Sequence, residues 1–441
     1  MSDGRTGLLR RRGAKRARRG ETPGGAALSA PVNPELPGAS GGIRREWVLL
    51  GVLTAVQFCH ILDFVIIMPL GPQLMRAFGI PPRQFALLVS AYTFSAAVSG
   101  FLAALVMDRF DRKRTLLFLL AGFGVGTLLC GVAGSFALLM AARVAAGAFG
   151  GVLAGVVLAA IGDQFPPERR GMATGVVMSG FSVASVLGLP FGLFLAAEHG
   201  WQAPFVLLSV VTAAVLAVAA LALPPMRGHV AAPAERRPAL AELAATVREP
   251  AHARAIAFTV ALIFAGFSLV PFLSPVLVNN VGLRESDLGY VYMAGGVATL
   301  FTSPFFGRLA DRFGSARVFR GAAIASIPAM IAITVLPRMP LAPVLALTTV
   351  FMVLAGGRWV AAMALMNGAV DPRRRGSFMS INSSVQQLTA GAASLVAGWM
   401  IGGGAGGRLV GYPRVGILAA GSVLVSLFLV HRLVARSGGS A

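Results

Sequence analysis

The sequence predicts an all-α membrane protein: twelve transmembrane helices arranged as two pseudo-symmetric six-helix bundles. Three observations lead there. Hydrophobic residues make up 56% of the 441-residue chain and charged residues 12%, with a mean hydropathy of +0.76. Soluble domains carry about 25% charged residues, so a water-soluble enzyme has no way to hide this much apolar surface. The apolar residues also gather in twelve runs of spanning length, and two short polar landmarks occur in both halves of the chain.

The elements follow in order. Residues 1–45 are rich in Arg, Gly, Pro and Ala and lack the apolar run of a secretory signal, so they read as a disordered basic cytoplasmic tail. Its cluster Arg10–Arg11–Arg12, Lys15, Arg16, Arg18 and Arg19 suits anionic lipid, at about 1 kcal/mol per charge. A solvated tail with no dedicated role explains it equally well.

A hydrocarbon core of about 30 Å takes about 20 apolar residues as helix. The runs 47–70, 84–107, 115–133, 136–161, 171–197 and 202–223 meet that length, giving a first bundle at 46–223. The runs 255–278, 287–310, 318–336, 341–366, 376–403 and 415–434 give a second at 254–435. A charged cytoplasmic linker, 224–253, separates them, and 436–441 form a short cytoplasmic C-terminal tail. With the N-terminus inside, Arg76, Arg83, Arg284, Arg338, Arg408 and Arg414 are the basic residues left in outer loops. The positive-inside rule therefore places both termini in the cytoplasm.

The repeat supports the division. Asp108–Arg109–Phe110–Asp111 after the second run returns as Asp311–Arg312–Phe313–Gly314 after the eighth. Arg170–Gly171 before the fifth run returns as Arg375–Gly376 before the eleventh, and the two offsets agree within two residues. The halves read as parallel repeats.

Several function classes drop out. The net charge of +21 sits in the tail and in short loops, not on a basic folded face with interleaved aromatics, so no nucleic-acid partner is expected. Cys59 and Cys130 lie in apolar runs, and the five histidines are scattered, so no disulfide framework, metal or cofactor is expected. No nucleophile–base constellation and no phosphate-binding Gly-x-x-x-x-Gly-Lys-Ser/Thr loop is present, which argues against an enzyme and against ATP as the energy source.

Polar residues inside apolar runs carry the functional argument. Asp63 is the only acidic residue well inside any run, and hydrocarbon disfavours the charged form of an isolated carboxylate. It is therefore a candidate for loading and releasing a proton. His60, one turn earlier, is a candidate relay or simply polar lining. Arg143 in the fourth run and Arg358 in the tenth both need a partner or a wet cavity. Arg358 has two options, a contact with Asp63 or an anionic group of a substrate. Asn382 and Gln386 share a face of the eleventh run, and with Gln387, Gln57 and Tyr92 they are candidate cavity lining. Interhelical hydrogen bonding explains some of these residues as well. Phe267 and Tyr292 are further lining candidates, more often ordinary packing.

The stretch Asp108-Arg109-Phe110-Asp111-Arg112-Lys113-Arg114, the twelve runs and the central loop together resemble the major facilitator superfamily. The likeness is strongest to its twelve-helix drug:proton antiporter branch. It covers roughly residues 46–435. The family's loop motif falls on Ala104, Asp108, Arg109, Asp111, Arg112 and Lys113, with Ala104 and Asp111 where the motif has glycine. Its second-half copy keeps the glycines Gly307 and Gly314 around Asp311 and Arg312. Arg143-x-x-x-Gly147 resembles the family's intramembrane arginine motif, and Asp63-Phe64 with Pro69-Leu70 resembles the first-span motif. Ala184-x-x-x-Gly188-x-Pro190-x-Gly192 resembles the antiporter motif of span five, with the proline shifted by one. The resemblance implies gating by the charged loops, proton coupling through Asp63, His60 and Arg143, and a kink at Gly188, Pro190 and Gly192. It also implies a nested inverted repeat in each half and a midplane site between the halves.

The expected function is proton-coupled export of small, largely apolar molecules by a monomer in the bacterial inner membrane. The alternatives are a proton-coupled importer of a sugar or organic acid, and a non-transporting membrane sensor or scaffold.

Overall fold

The described residues of the chain, in a computed structural model, are 39–106, 110–224, 226, 249–369 and 375–437. The predicted tail and most of the predicted linker lie outside them. Helices dominate for the reason that made the runs visible: in hydrocarbon each backbone N–H and C=O must be satisfied within its own segment.

The first set is α1 (Ala39–Ile66), α2 (Gly71–Phe78), α3 (Pro82–Val106), α4 (Arg112–Gly131), α5 (Phe136–Gln164), α6 (Pro167–Val183), α7 (Leu189–His199) and α8 (Gln202–Ala222). The second is α9 (Pro250–Phe267), α10 (Val270–Val276), α11 (Glu285–Phe313), α12 (Ser315–Thr334), α13 (Leu341–Ala369), α14 (Arg375–Met400) and α15 (Tyr412–Ser437). Ten helical stretches among the described residues are long and apolar enough to cross a membrane. The remaining long helices, α11 and α14, have 29 and 26 residues, about 43 and 39 Å. Charged ends in α11 and the hydroxyl and amide run of α14 lower their apolarity.

The described residues of the twelve predicted runs fall mainly on helix, with local differences: the seventh run breaks at 268–269 between α9 and α10, and two others end early. The first helix stops at Ile66, and residues 67–70 turn into the short α2. The eleventh stops at Met400, because a glycine run follows and forms β1 (Gly402–Gly403), antiparallel to β2 (Leu409–Val410). Asn280 holds this hairpin from both sides, donating to the Leu409 carbonyl at 2.8 Å and accepting from the Leu409 N–H at 2.7 Å.

Side-chain caps set several boundaries. Asp111 and Ser135 accept from the backbone N–H groups of Arg114 and Leu138 and so start α4 and α5. Gly314, at φ +88°, turns α11 directly into α12, a conformation that a Cβ would strain. Between α6 and α7 the chain forms a π-helical segment, Ala184–Gly188, with Pro190 in the first turn beyond it. The glycines and proline predicted to kink this span thus fall in and just after a π-helical segment.

Within the first set, α5 packs against α3 and α4, and α8 against α4. Within the second, α13 packs against α11 and α12, and α9 against α14 and α15. The sets meet along α3 with α14 and along α7 with α11. Small residues permit the approach: Gly391 faces Thr93 and Phe94, Gly398 faces Ala86, Gly289 meets the Phe194 ring, and Gly296 meets Ser185 and Val186. Among the described residues, side-chain contacts between the sets occur at the end that carries the α1–α3 and α9–α11 turns. There Arg76 pairs with Glu285 at 2.7 Å, Phe85 meets Phe272 edge-on at 5.8 Å, and Phe64 lies 5.9 Å from Phe267.

Candidate functional site

Asp63 and Arg143 come together. Arg143 Nη1 donates to Asp63 Oδ2 at 3.0 Å and to the Asp63 carbonyl at 3.3 Å, and both side chains are fully buried. Thr127 on α4 donates to the other carboxylate oxygen at 3.2 Å. Three helices therefore converge on one carboxylate. The Arg143 guanidinium also lies over the Tyr92 ring, 4.3 Å from its centroid, a cation–π contact strengthened by desolvation. Breaking such a pair on one side leaves an uncompensated buried charge and costs about 3–5 kcal/mol.

The local sequence explains the convergence. Gly147 and Gly151 on α5 have no room for a Cβ because α3 presses its Tyr92 and Ala96 backbone against them. Gly155, the third member of the predicted small-residue face, is open to its surroundings. Gly150 leaves the space that His60, the Tyr92 hydroxyl and Phe123 occupy. His60 is buried beside Phe123, with ring centroids 6.4 Å apart, and makes no hydrogen bond to Asp63. Both of its ring nitrogens, the Tyr92 hydroxyl, and Nε and Nη2 of Arg143 lack a nitrogen or oxygen partner among the described residues.

An aromatic chain leads from this site to the other helix set. Phe64, next to Asp63, packs on Tyr92 at 5.5 Å and on Phe267 at 5.9 Å. Phe267 thus touches Phe64, while Tyr292 is hydrogen-bonded to Ser274 at 2.9 Å.

The charged loop after α3 splits in two. Asp108 and Arg109 lie outside the described residues, but the following residues are tied into helix ends. Asp111 caps α4, and Arg112, nearly buried, pairs with Asp163 at 3.0 Å. Lys113 donates to the Ala220 carbonyl at 2.8 Å and to that of Leu223, closing the C-terminal end of α8. Asp311 and Arg312 are exposed, and the Arg312 guanidinium lies over the neighbouring Phe313 ring at 5.3 Å.

On the other side, Arg358 does not meet Asp63. It is 3% exposed, its Nη1 faces the Met330 sulfur at 3.7 Å, and its Nε has no partner. The contact with Asp63 read as one option from sequence is therefore corrected: Arg143 and Thr127 already occupy that carboxylate. Asn382 is buried and accepts from Thr259 at 2.7 Å, so this amide oxygen joins α9 to α14. Gln386 and Gln387 are half-buried, and Gln57 is buried where α6 crosses α1 at Gly180. Gly188 and Gly192 pack on Phe58, Leu62 and Ile66 of α1, so this stretch of span five braces the helix that carries Asp63.

Sequence reasoning passed over Thr127 and Asp163, and it named Phe64 only as part of the first-span motif. Thr127 is visible as a hydroxyl in an apolar run, but only the pairing of α1 with α4 gives it a carboxylate.

The comparisons agree with this architecture. The model of the Major Facilitator Superfamily matches residues 53–281 and 256–440. The chain is 26% identical, over 361 residues, to the MFS-type transporter YceJ of Bacillus subtilis (strain 168), covering 81% of this chain and 89% of that one. In structure it is similar to a bacterial homologue of the human lysosomal transporter Spinster in an inward-facing, occupied conformation, with TM-score 0.69, 18% identity, and coverage of 88% of this chain and 96% of the other. It is likewise similar to the nucleoside transporter NupG, with TM-score 0.68, 12% identity, and coverage of 88% of this chain and all of the other. Two arginines inside spanning helices, a buried carboxylate on one of them and a helical frame shared with known transporters belong together: this chain is a member of the Major Facilitator Superfamily.

Proposed function

We propose that this transporter is a proton-coupled exporter of small, largely apolar molecules, and that Asp63 is its proton-carrying group. The fully buried Asp63–Arg143 pair carries the reading. Protonating Asp63 neutralises the carboxylate and weakens its bond to Arg143, which changes the energy of the state in which the pair is closed. Phe64 ties that change to Phe267 across the contact between helix sets. Bundles 46–223 and 254–435 rock about this contact, working as twelve spans and as a monomer in a bacterial inner membrane.

With both termini cytoplasmic, as the loop charges favour, the end bearing Arg76–Glu285 is the outer one. The Arg112–Asp163 pair and the Lys113 cap hold α4, α5 and α8 together at the cytoplasmic end, as a gating element that moves as one piece. His60 serves as polar lining near the pair.

The test uses proteoliposomes with an imposed proton gradient, an internal pH dye and a panel of drugs and metabolites, comparing wild type with Asp63→Asn. Solute-dependent proton movement that disappears in the variant, with protons and solute moving in opposite directions, supports the proposal. Unchanged movement in the variant removes Asp63 from the mechanism.

A further inference from the structure

Arg358 occupies the eighteenth position of the 29-residue α13. That is about 25 Å from Leu341 and about 16 Å from Ala369 along the axis, too far for its side chain to snorkel to either end. It is nevertheless 3% exposed. A guanidinium has five donors and no acceptor, and here the partner found is a thioether sulfur at 3.7 Å, a weak acceptor.

The buried carboxylates are engaged elsewhere. Asp63 is held by Arg143 and Thr127, and Asp287 by Arg284. Among the partly exposed ones, Asp163 is paired with Arg112, Glu285 with Arg76 and Glu46 with Arg169, while Asp311 is exposed at the end of α11. The surface that α11 presents to this part of α13 is a threonine methyl against Gly356 and the Phe306 ring against Gly357. The helix interior thus holds one cation more than it has anions among the described residues. A desolvated cation without a counterion is costly, and an incoming carboxylate or phosphate matches the guanidinium fork in shape and charge.

We propose that Arg358 is the docking group for an anionic end of the transported solute, so that the cargo is an organic anion: an apolar body bearing a carboxylate, phosphate or sulfonate. The proposal rests on the reading of the chain as a solute transporter and narrows its substrate class.

The experiment measures melting of the purified full chain in detergent at constant ionic strength. The probes are benzoate, phenyl phosphate and benzenesulfonate, with benzyl alcohol and benzamide as neutral matches, at up to tens of millimolar. At least one anion is expected to raise the melting temperature of wild type while its neutral match does not. Arg358→Met is expected to abolish the rise and, without any ligand, to melt at the wild-type temperature or above it. Arg358→Lys is expected to retain a rise with roughly ten- to hundredfold weaker apparent affinity. If Arg358→Met fails to fold, the lysine dose–response decides alone.

Three results overturn the proposal: no anion acts on wild type, the anions act equally on wild type and the Arg358 variants, or Arg358→Met folds but melts several degrees lower unliganded. Stabilisation by phosphatidylglycerol vesicles in place of soluble anions assigns Arg358 to a lipid headgroup and overturns it too. The assay needs no gradient, so it remains readable if proton coupling through Asp63 fails.

Discussion

Two arginines lie inside the helix sets of this transporter, and their surroundings differ in kind. Arg143 has a carboxylate at 3.0 Å, a carbonyl at 3.3 Å and an aromatic face, whereas Arg358 has a methionine sulfur. The first is neutralised by the protein itself. The second has no carboxylate partner among the described residues. The contrast matches the two roles proposed above: a closed ion pair is suited to being opened by a proton, and an unpaired cation is suited to being closed by a solute.

The sharpest way to break the comparison is Asp63→Asn. It keeps the shape and most hydrogen bonds but removes the exchangeable charge, so solute-driven proton movement in proteoliposomes is expected to fall to background. Next comes a matched pair of truncations. Arg143→Leu leaves the Asp63 carboxylate buried without a cation and is expected to lower stability by about 3–5 kcal/mol. Arg358→Met is expected to be neutral or stabilising, and thermal melting compares the two directly. Equal destabilisation would mean that Arg358 has an internal partner and that the two sites are alike.

Much of this was legible before any fold was seen, and the rest was not, for a physical reason. Asp63, Arg143 and Arg358 stand out as charges in apolar runs because hydrocarbon penalises them wherever their partners lie. Their pairing depends on which helices touch, and that is set by close approaches such as Gly147 against Tyr92. Nothing in a single sequence separated Arg143 from Arg358 as the partner of Asp63.

A smaller effect tests that packing. Gly147→Ala forces a Cβ into the α3 backbone and is expected to cost about 1–3 kcal/mol, measured by chemical denaturation, with proton coupling impaired as Tyr92 and Arg143 shift. Gly155→Ala, in open space, is expected to be near neutral. The smallest effect belongs to the Arg76–Glu285 pair. Arg76 is 65% exposed against Glu285 at 21%, so Arg76→Glu is expected to cost at most about 1 kcal/mol. It should still raise accessibility of this end to a thiol reagent at a cysteine placed at Ser274. The charge-swapped double variant, Arg76→Glu with Glu285→Arg, should restore protection.

The sequence by itself determined the solvent, the helices, their number of runs, the in–out orientation expected from loop charge and the short list of ionisable residues. These follow from composition and from periodic or local chemistry, which the chain carries at each position. Only the tertiary structure decided that Asp63 belongs to Arg143 and Thr127, that Arg112 and Lys113 staple helix ends, and that Asn382 is spent on Thr259. Each of these is a contact between residues far apart in the chain. Which of them form depends on how glycines and rings on different helices fit, and that fit exists only once the helices are packed.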